Sequence, residues 1–71
     1  MNATLKQLRK QRFHTQDDFA MALNVSEPTV SEWETGKRTP SVEQIIKIAE
    51  VLGVSHYEVF DSLVAIKNGQ H

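Results

Sequence analysis

The chain has 71 residues, of which 39% are hydrophobic and 24% charged, with a formal net charge of −1 and no cysteine. This length leaves room for one domain with one small core, and the lack of cysteine excludes disulfides and thiolate metal sites. Three scattered histidines do not have zinc-ligand spacing, and no membrane span or secretory signal is visible, so we expect a cytoplasmic protein without metal or cofactor.

The first two predicted helices cover the N-terminal third of the chain. Leu5 and Leu8 recur at helical spacing in a polar background, which predicts a helix over about residues 3–12. Thr15 can cap a second helix, with Asp18 three residues on as a shortened capping box. The apolar face of this helix is Phe19, Ala20 and Leu23. Asn24 follows it, and asparagine tolerates the left-handed conformation in which helices end.

A third helix follows almost at once. Ser26 is a favourable N-cap, and Pro28 falls in the first turn, where its missing N–H is not needed. Val30 and Trp33, three residues apart, give this helix an inward apolar stripe. Gly36 predicts its end.

Two further helices are predicted by capping boxes. Ser41 with Gln44 opens the fourth, which ends at Gly53, and Ser55 with Glu58 opens the fifth. The fourth has an apolar repeat of Val42, Ile45, Ile48, Ala49 and Leu52, and the fifth continues through Val59, Phe60 and Leu63. Five helices with short joints and no strand pattern predict a compact all-α domain over residues 1–66 with a frayed tail, 67–71.

The joint between the second and third helices carries the first indication of function. Asn24, Val25 and Ser26 leave a turn too short for antiparallel packing, so we expect the steep crossing of a helix-turn-helix. Ala20 supplies the small residue that such a crossing needs. Apolar contacts would come from Val25, Val30 and Trp33.

Taken together, these features resemble the Xre/Cro-type, lambda-repressor-like helix-turn-helix family. The resemblance rests on the stretches 5–9, 15–20, 25–26, 30–38, 40–41 and 52–55, which follow the family's order and spacing. It implies a five-helix domain that binds operator DNA as a dimer and regulates transcription, most often as a repressor. The recognition helix in the major groove would be Ser26–Glu34.

The resemblance also implies roles for individual residues. The positions that match base-reading residues are Ser26, Glu27, Pro28, Thr29 and Glu32. Those expected to contact DNA phosphates are Thr15, Gln16, Ser31, Lys37 and Arg38. Phosphate contacts set register and orientation without reading sequence. Arg9 and Glu34 match a buried structural ion pair, so we expect Arg9 to brace the fold and not to contact DNA.

Two departures from the family pattern affect these expectations. Phe13 and His14 stand where the family commonly has Gly and Leu, and Phe13 does not adopt a positive φ cheaply, so the first joint should be built differently. Glu27 and Glu32 place two carboxylates on the reading face. Three explanations stay open: they read cytosine amino groups, they weaken non-specific binding, or the helix has given up DNA.

A dimer is expected because one recognition helix reaches only a few base pairs. Most cations, six of eight, lie in two short clusters, residues 6–12 and 37–38, and are too few for tight binding by one domain. Candidate dimer residues are Tyr57, Leu63, Val64 and Ile66. In the alternative interpretation, Leu63 and Ile66 simply close the core of the monomer.

Other function classes fit less well or differ in partner. An enzyme is not expected: Asp17 and Asp18 are adjacent and point about 100° apart on a helix, Ser31 has no nearby His–Asp pair, and no phosphate-binding glycine loop appears. The alternative to a DNA reader is a protein-interaction module on the same scaffold, such as an antitoxin that neutralises a partner protein.

Overall fold

Five helices and no strand make up the part of the chain that is described, residues 3–69, with side chains to residue 66. The architecture comes from a computed structural model. The helices are α1 (Leu5–Lys10), α2 (Gln16–Leu23), α3 (Glu27–Thr35), α4 (Val42–Leu52) and α5 (His56–Gly69). The predicted all-α class is therefore confirmed. Between residues 3 and 69, no helix has the length and apolarity that crossing a bilayer requires.

Each helix begins at a hydroxyl side chain that accepts a backbone N–H three residues further on. The caps are Thr4, Thr15, Ser26, Ser41 and Ser55. The reciprocal bond of a capping box is present at three of these caps. Gln7 Oε1 accepts the Thr4 N–H at 2.8 Å, Gln44 Oε1 accepts the Ser41 N–H at 2.8 Å, and Glu58 Oε1 accepts the Ser55 N–H at 3.4 Å. These local bonds satisfy N–H groups that have no partner inside a helix, and they explain why the helix starts are legible in the sequence.

The predicted helix ends are confirmed at Asn24, Gly36 and Gly53, whose φ angles are 59°, 82° and 70°. The first helix is shorter than expected: it spans residues 5–10, whereas the prediction was about 3–12. Phe13 keeps a negative φ, and its ring packs against that of Phe19 with centroids 5.4 Å apart. The joint is thus built from an aromatic contact in place of a left-handed residue.

The core lies where the five helices meet. α2 packs against α3 and α4, while α5 packs against α1, α3 and α4. The buried apolar residues are Leu5, Leu8, Phe19, Ala20, Leu23, Val30, Trp33, Ile48, Ala49, Leu52, Val59, Leu63 and Ile66. Ser62 is also buried, and its hydroxyl donates to the Val59 carbonyl oxygen at 2.6 Å. Because helices from both ends of the chain contribute, the helix-turn-helix rests on the last helix as well as the first.

Three features of the C-terminal half of the chain bear on the expectations from sequence. Leu63 and Ile66 are buried in the core of the single chain, at 7% and 4% exposure, as the alternative interpretation has it. Leu63 also lines a small surface cavity with Phe60 and Val64. Val42 belongs to the apolar repeat of α4 but is 74% exposed, because it lies in the first turn, beyond the part of α4 that the other helices cover. The backbone of α5 continues helical to Gly69, past the expected start of the tail at residue 67. Gln70 and His71, the end of that predicted tail, lie outside the described residues.

Candidate nucleic-acid interface

The turn between α2 and α3 is closed by backbone hydrogen bonds. Asn24, in the left-handed conformation, lets its own N–H donate to Met21 O at 3.1 Å and the Val25 N–H donate to Ala20 O at 3.0 Å. Ser26 is extended and caps α3 directly. Only three residues therefore separate the two helices, and Ala20 is buried beside them at 1% exposure. This is the helix-turn-helix that the sequence predicts.

The third helix has two contrasting faces. Val30 and Trp33 are buried at 0% and 1% exposure and fix α3 on the core. Ser26, Glu27 and Pro28 are exposed at its N-terminal end. A helix anchored in this way presents its first turn to solvent, which is the end that contacts base edges in helix-turn-helix complexes.

The two hydroxyls among the predicted base-reading residues bond to each other. Ser26 Oγ lies 2.7 Å from Thr29 Oγ1 and also accepts the Thr29 N–H at 3.4 Å. Thr29 is half-buried, whereas Glu27 and Pro28 are exposed. Glu27 also lies in the first turn of α3, where the helix dipole favours a negative charge. Helix capping therefore explains why Ser26, Glu27 and Thr29 are suited to the start of α3 even in the absence of DNA.

Glu32, the last of the predicted base-reading residues, is paired with a predicted phosphate contact. Arg38 Nε lies 3.0 Å from Glu32 Oε1, with side chains 67% and 35% exposed. The backbone N–H groups of Lys37 and Arg38 donate to the Glu32 carbonyl oxygen at 2.9 and 3.1 Å. The loop after α3 therefore folds back over the last turn of the helix, and Lys37 is exposed beside it.

The other predicted phosphate contacts have varied surroundings. Thr15 is exposed, and its hydroxyl accepts the Asp18 N–H at 3.1 Å as the cap of α2. Ser31 is half-buried on α3. Gln16 is half-buried, and its amide Nε2 donates to Glu34 Oε1 at 2.9 Å. Gln16 thus has a structural partner that the sequence did not indicate.

Arg9 and Glu34 form the ion pair that the resemblance implies. Arg9 Nε donates to Glu34 Oε2 at 2.6 Å, and the two side chains are only 4% and 3% exposed. Arg9 Nη1 donates further to the carbonyl oxygens of Phe13 and His14 at 3.2 and 3.0 Å. One guanidinium thus connects α1, the first joint and α3, with Gln16 joining from α2. This network fixes α3 on the side that faces the rest of the domain.

An apolar surface lies on α4 and α5, of which the sequence predicted the α5 residues Tyr57 and Val64 but not the α4 residues. We define the α4–α5 groove by its lining residues, Val42, Ile45, Ile46, His56, Tyr57 and Phe60, which enclose about 350 Å³. Four of these are large and exposed: Val42 (74%), Ile46 (38%), Tyr57 (83%) and Phe60 (58%). A smaller cavity of about 150 Å³ adjoins it and shares Ile45 and Phe60, with Thr39, Leu63 and Val64 in its wall. The signal in the sequence was Val42 with Ile46, four residues apart on α4.

The five-helix fold and the exposed N-terminal end of α3 define the class of the protein, a helix-turn-helix domain. Comparison with known proteins agrees, since a helix-turn-helix family model matches residues 5–59. The chain belongs to the Xre-type helix-turn-helix family.

Several relatives have been given names but not characterised functions. The chain is 37% identical over 51 residues to the uncharacterised HTH-type transcriptional regulator YqaE of Bacillus subtilis, an alignment that covers 72% of this chain but only 44% of YqaE. It is 38% identical over 60 residues to an uncharacterised HTH-type transcriptional regulator of Methanocaldococcus jannaschii, covering 84% of this chain and 91% of the relative. YazB of Bacillus subtilis is 38% identical over 55 residues, 78% of this chain and 80% of YazB. No solved structure matches the chain.

Proposed function

We propose that the protein is a sequence-specific double-stranded DNA-binding transcriptional regulator that reads the major groove with α3. The observation that carries this proposal is the division of α3 into a buried face, Val30 and Trp33, and an exposed N-terminal end. The named relatives, all called HTH-type transcriptional regulators, support it. We further propose repression, because occupying an operator needs no contacts beyond those to DNA.

The proposed interface has two zones. The exposed first turn of α3, with Glu27 and Pro28, enters the major groove, where a glutamate can accept a hydrogen bond from cytosine N4. Phosphate contacts come from Lys37, which is exposed after α3, and from the N-terminus of α2 at Thr15 and Gln16. A helix N-terminus offers unpaired N–H groups to a phosphate.

A homodimer on a two-fold-symmetric site is part of the proposal. Two recognition helices in successive major grooves lie about 34 Å apart, and the molecule measures 28 × 23 × 22 Å, so two copies fit side by side on such a site. The α4–α5 groove is the surface we assign to the second copy, with Tyr57 exposed in it and Val64 in the adjoining wall. Thr39 in that wall follows directly after Lys37 and Arg38, which places this surface next to the proposed DNA contacts.

The test is selection of bound sequences from a random duplex pool with the purified protein. We expect a two-fold-symmetric consensus whose affinity falls steeply between about 50 and 200 mM salt, as phosphate contacts require. Lys37→Glu should weaken binding, whereas Lys47→Glu, the same charge change on the exposed part of α4, should have a smaller effect. An absence of duplex binding at low salt contradicts the proposal.

The second candidate function, a protein-interaction module, is favoured by the same exposed groove. Sedimentation equilibrium distinguishes the two. If the groove holds a second copy, Phe60→Glu should shift the chain from dimer to monomer and weaken binding to the two-fold-symmetric duplex, whereas Met21→Glu, at another exposed apolar residue (72%), should leave the dimer intact. A wild-type chain that is monomeric and binds no duplex would favour the protein partner.

A further inference from the structure

The loop after α3 contacts the recognition helix mainly at one residue, Glu32. Two backbone N–H groups, those of Lys37 and Arg38, donate to its carbonyl oxygen, and the Arg38 guanidinium meets its carboxylate at 3.0 Å. Gly36, with φ +82°, ends the helix and lets the chain turn back. Since the chain turns back at Gly36, the Arg38 side chain lies beside Glu32.

This arrangement bears on the acidic reading face. A carboxylate brought close to DNA phosphates is repelled, and the repulsion grows where water is displaced and the effective dielectric constant falls. A guanidinium at 3.0 Å offsets that charge. Of the two glutamates predicted to read bases, Glu32 has this partner, and Glu27 lies at the N-terminus of α3, where the helix dipole favours it.

Pairing leaves Glu32 able to bind a base. An ionised carboxylate has about four acceptor positions on its two oxygens, and Arg38 Nε lies 3.0 Å from Oε1 as an ion pair. The carboxylate is 35% exposed, so a donor from solvent or from a base can reach it. The guanidinium contacts one of the two carboxylate oxygens, and its planar group of donors can direct a carboxylate more closely than the ammonium of a lysine can.

We propose that Arg38 is a positioning residue for Glu32 and not an independent phosphate contact. It neutralises and orients the carboxylate, so that Glu32 accepts a hydrogen bond from an exocyclic amino group in the major groove, such as cytosine N4. This inference rests on the proposed DNA-binding function. It replaces the phosphate role that the family resemblance implies for Arg38, and it leaves that role to the neighbouring Lys37.

The test is a double-mutant cycle with base preference as the readout. Wild type, Arg38→Gln, Glu32→Gln and the double variant are titrated with the selected duplex and with duplexes changed at each single base pair. Arg38→Gln should weaken binding to the selected duplex about tenfold and flatten the preference at one base pair, the pair whose preference Glu32→Gln also changes. In the Glu32→Gln background, the same change should cost less than about threefold.

Lys37→Gln is the matched control, since it removes one positive charge from the adjacent exposed position. It should weaken binding to all duplexes by the same factor and keep the base preference, as loss of a phosphate contact does. Thermal unfolding of all five proteins checks that none has lost its fold. Both side chains of the pair are more than one-third exposed, so we expect little change in melting temperature.

The outcomes separate this inference from the proposed function. If Arg38→Gln weakens every duplex equally, and by the same factor with or without Glu32, Arg38 is a phosphate contact and the inference is overturned while DNA binding stands. An Arg38→Gln variant that binds as wild type does also overturns it. If the wild-type protein binds no duplex at low salt, the proposed function fails and this inference fails with it.

Discussion

Glu32 and Glu34 lie two residues apart on α3, and each forms an ion pair with an arginine, yet the two pairs occupy opposite environments. Arg9–Glu34 is 2.6 Å long with both side chains under 5% exposed, while Arg38–Glu32 is 3.0 Å long and 67% and 35% exposed. The spacing of two residues turns the side chains about 200° apart on a helix. One pair therefore faces the core and the other faces the proposed DNA surface.

The two environments give the two pairs different roles. A buried charge must stay paired, because an uncompensated charge in the interior is strongly unfavourable. An exposed pair contributes little to stability, since water and salt screen it, and it can rearrange when a ligand approaches. We interpret the inner pair as the support of α3 and the outer pair as part of its reading surface. The following predictions test that division.

The largest effect is expected from breaking the inner pair. Arg9→Gln leaves the Glu34 carboxylate buried without its cation and should lower the free energy of unfolding by about 3–5 kcal/mol, measured by urea denaturation. Lys10→Gln, its exposed neighbour, should change it by less than about 0.5 kcal/mol. The double variant Arg9→Met, Glu34→Leu should recover most of the loss. A loss below about 1 kcal/mol for Arg9→Gln would mean that the pair does not support the helix.

A smaller effect on the free energy of unfolding is expected at Gly36, which ends α3 and lies between Glu34 and Arg38 in the sequence. A left-handed alanine is unfavourable by about 1–2 kcal/mol, and a Cβ there would also lie 2.8 Å from Ile66 Cγ2. Gly53→Ala is the matched control, because its φ of +70° is similar but its Cβ would meet only the flexible end of Arg12, at 3.3 Å. Gly36→Ala should therefore be the more destabilising by urea denaturation. Equal losses of unfolding free energy for the two variants would show that the Ile66 side chain moves aside at little cost.

Gln16 tests how far the inner network extends. Its amide donates to the charged Glu34 carboxylate at 2.9 Å, so Gln16→Ala should lower the free energy of unfolding by about 1.5 kcal/mol. Gln11→Ala, at an exposed position, should have less effect. Unchanged stability together with weaker DNA binding would assign Gln16 to the phosphate contact that the family resemblance implies, and not to the network.

The smallest effect on stability is expected at the outer pair. Glu32→Gln should change the free energy of unfolding by less than about 1 kcal/mol, and the difference should shrink as salt is raised from about 0.05 to 0.5 M. Glu34→Gln, the same change two residues away, should remain strongly destabilising at both salt concentrations because its site excludes water. If the two variants respond alike to salt, the contrast between the pairs is wrong.

Prediction from sequence was most successful where the evidence is local. Ser41 and Gln44, or Asn24 and Gly36, act on backbone groups within a few residues, so their effect can be inferred without knowing the fold. The same is true of Val30 and Trp33, whose helical spacing predicts a shared face. The Arg9–Glu34 pair spans 25 residues, and it was expected only because the chain resembles a family in which that pair occurs.

Prediction was weakest for apolar residues near the ends of helices. Leu63 and Ile66 were candidates for a dimer surface, with burial in the monomer as the alternative, and both are buried. Val42 belongs to the apolar repeat of α4 but is exposed. A hydrophobic pattern shows which side of a helix is apolar, but not how far neighbouring helices extend along it. The α4–α5 groove arises from that unequal cover, and the spacing of Val42 and Ile46 within α4 does not show that neighbouring helices leave them exposed.

The five helices, the caps of α2 to α5, the ends of α2, α3 and α4, and the short turn between α2 and α3 follow from the sequence, since each depends on hydrogen bonds and backbone preferences within a few residues. The partner of each long polar side chain around α3 follows only from the packing: Gln16 bonds to Glu34, and Arg38 pairs with Glu32. A long polar side chain on a half-exposed site can bond to several groups, and only the packing of the elements around it brings one of them within reach.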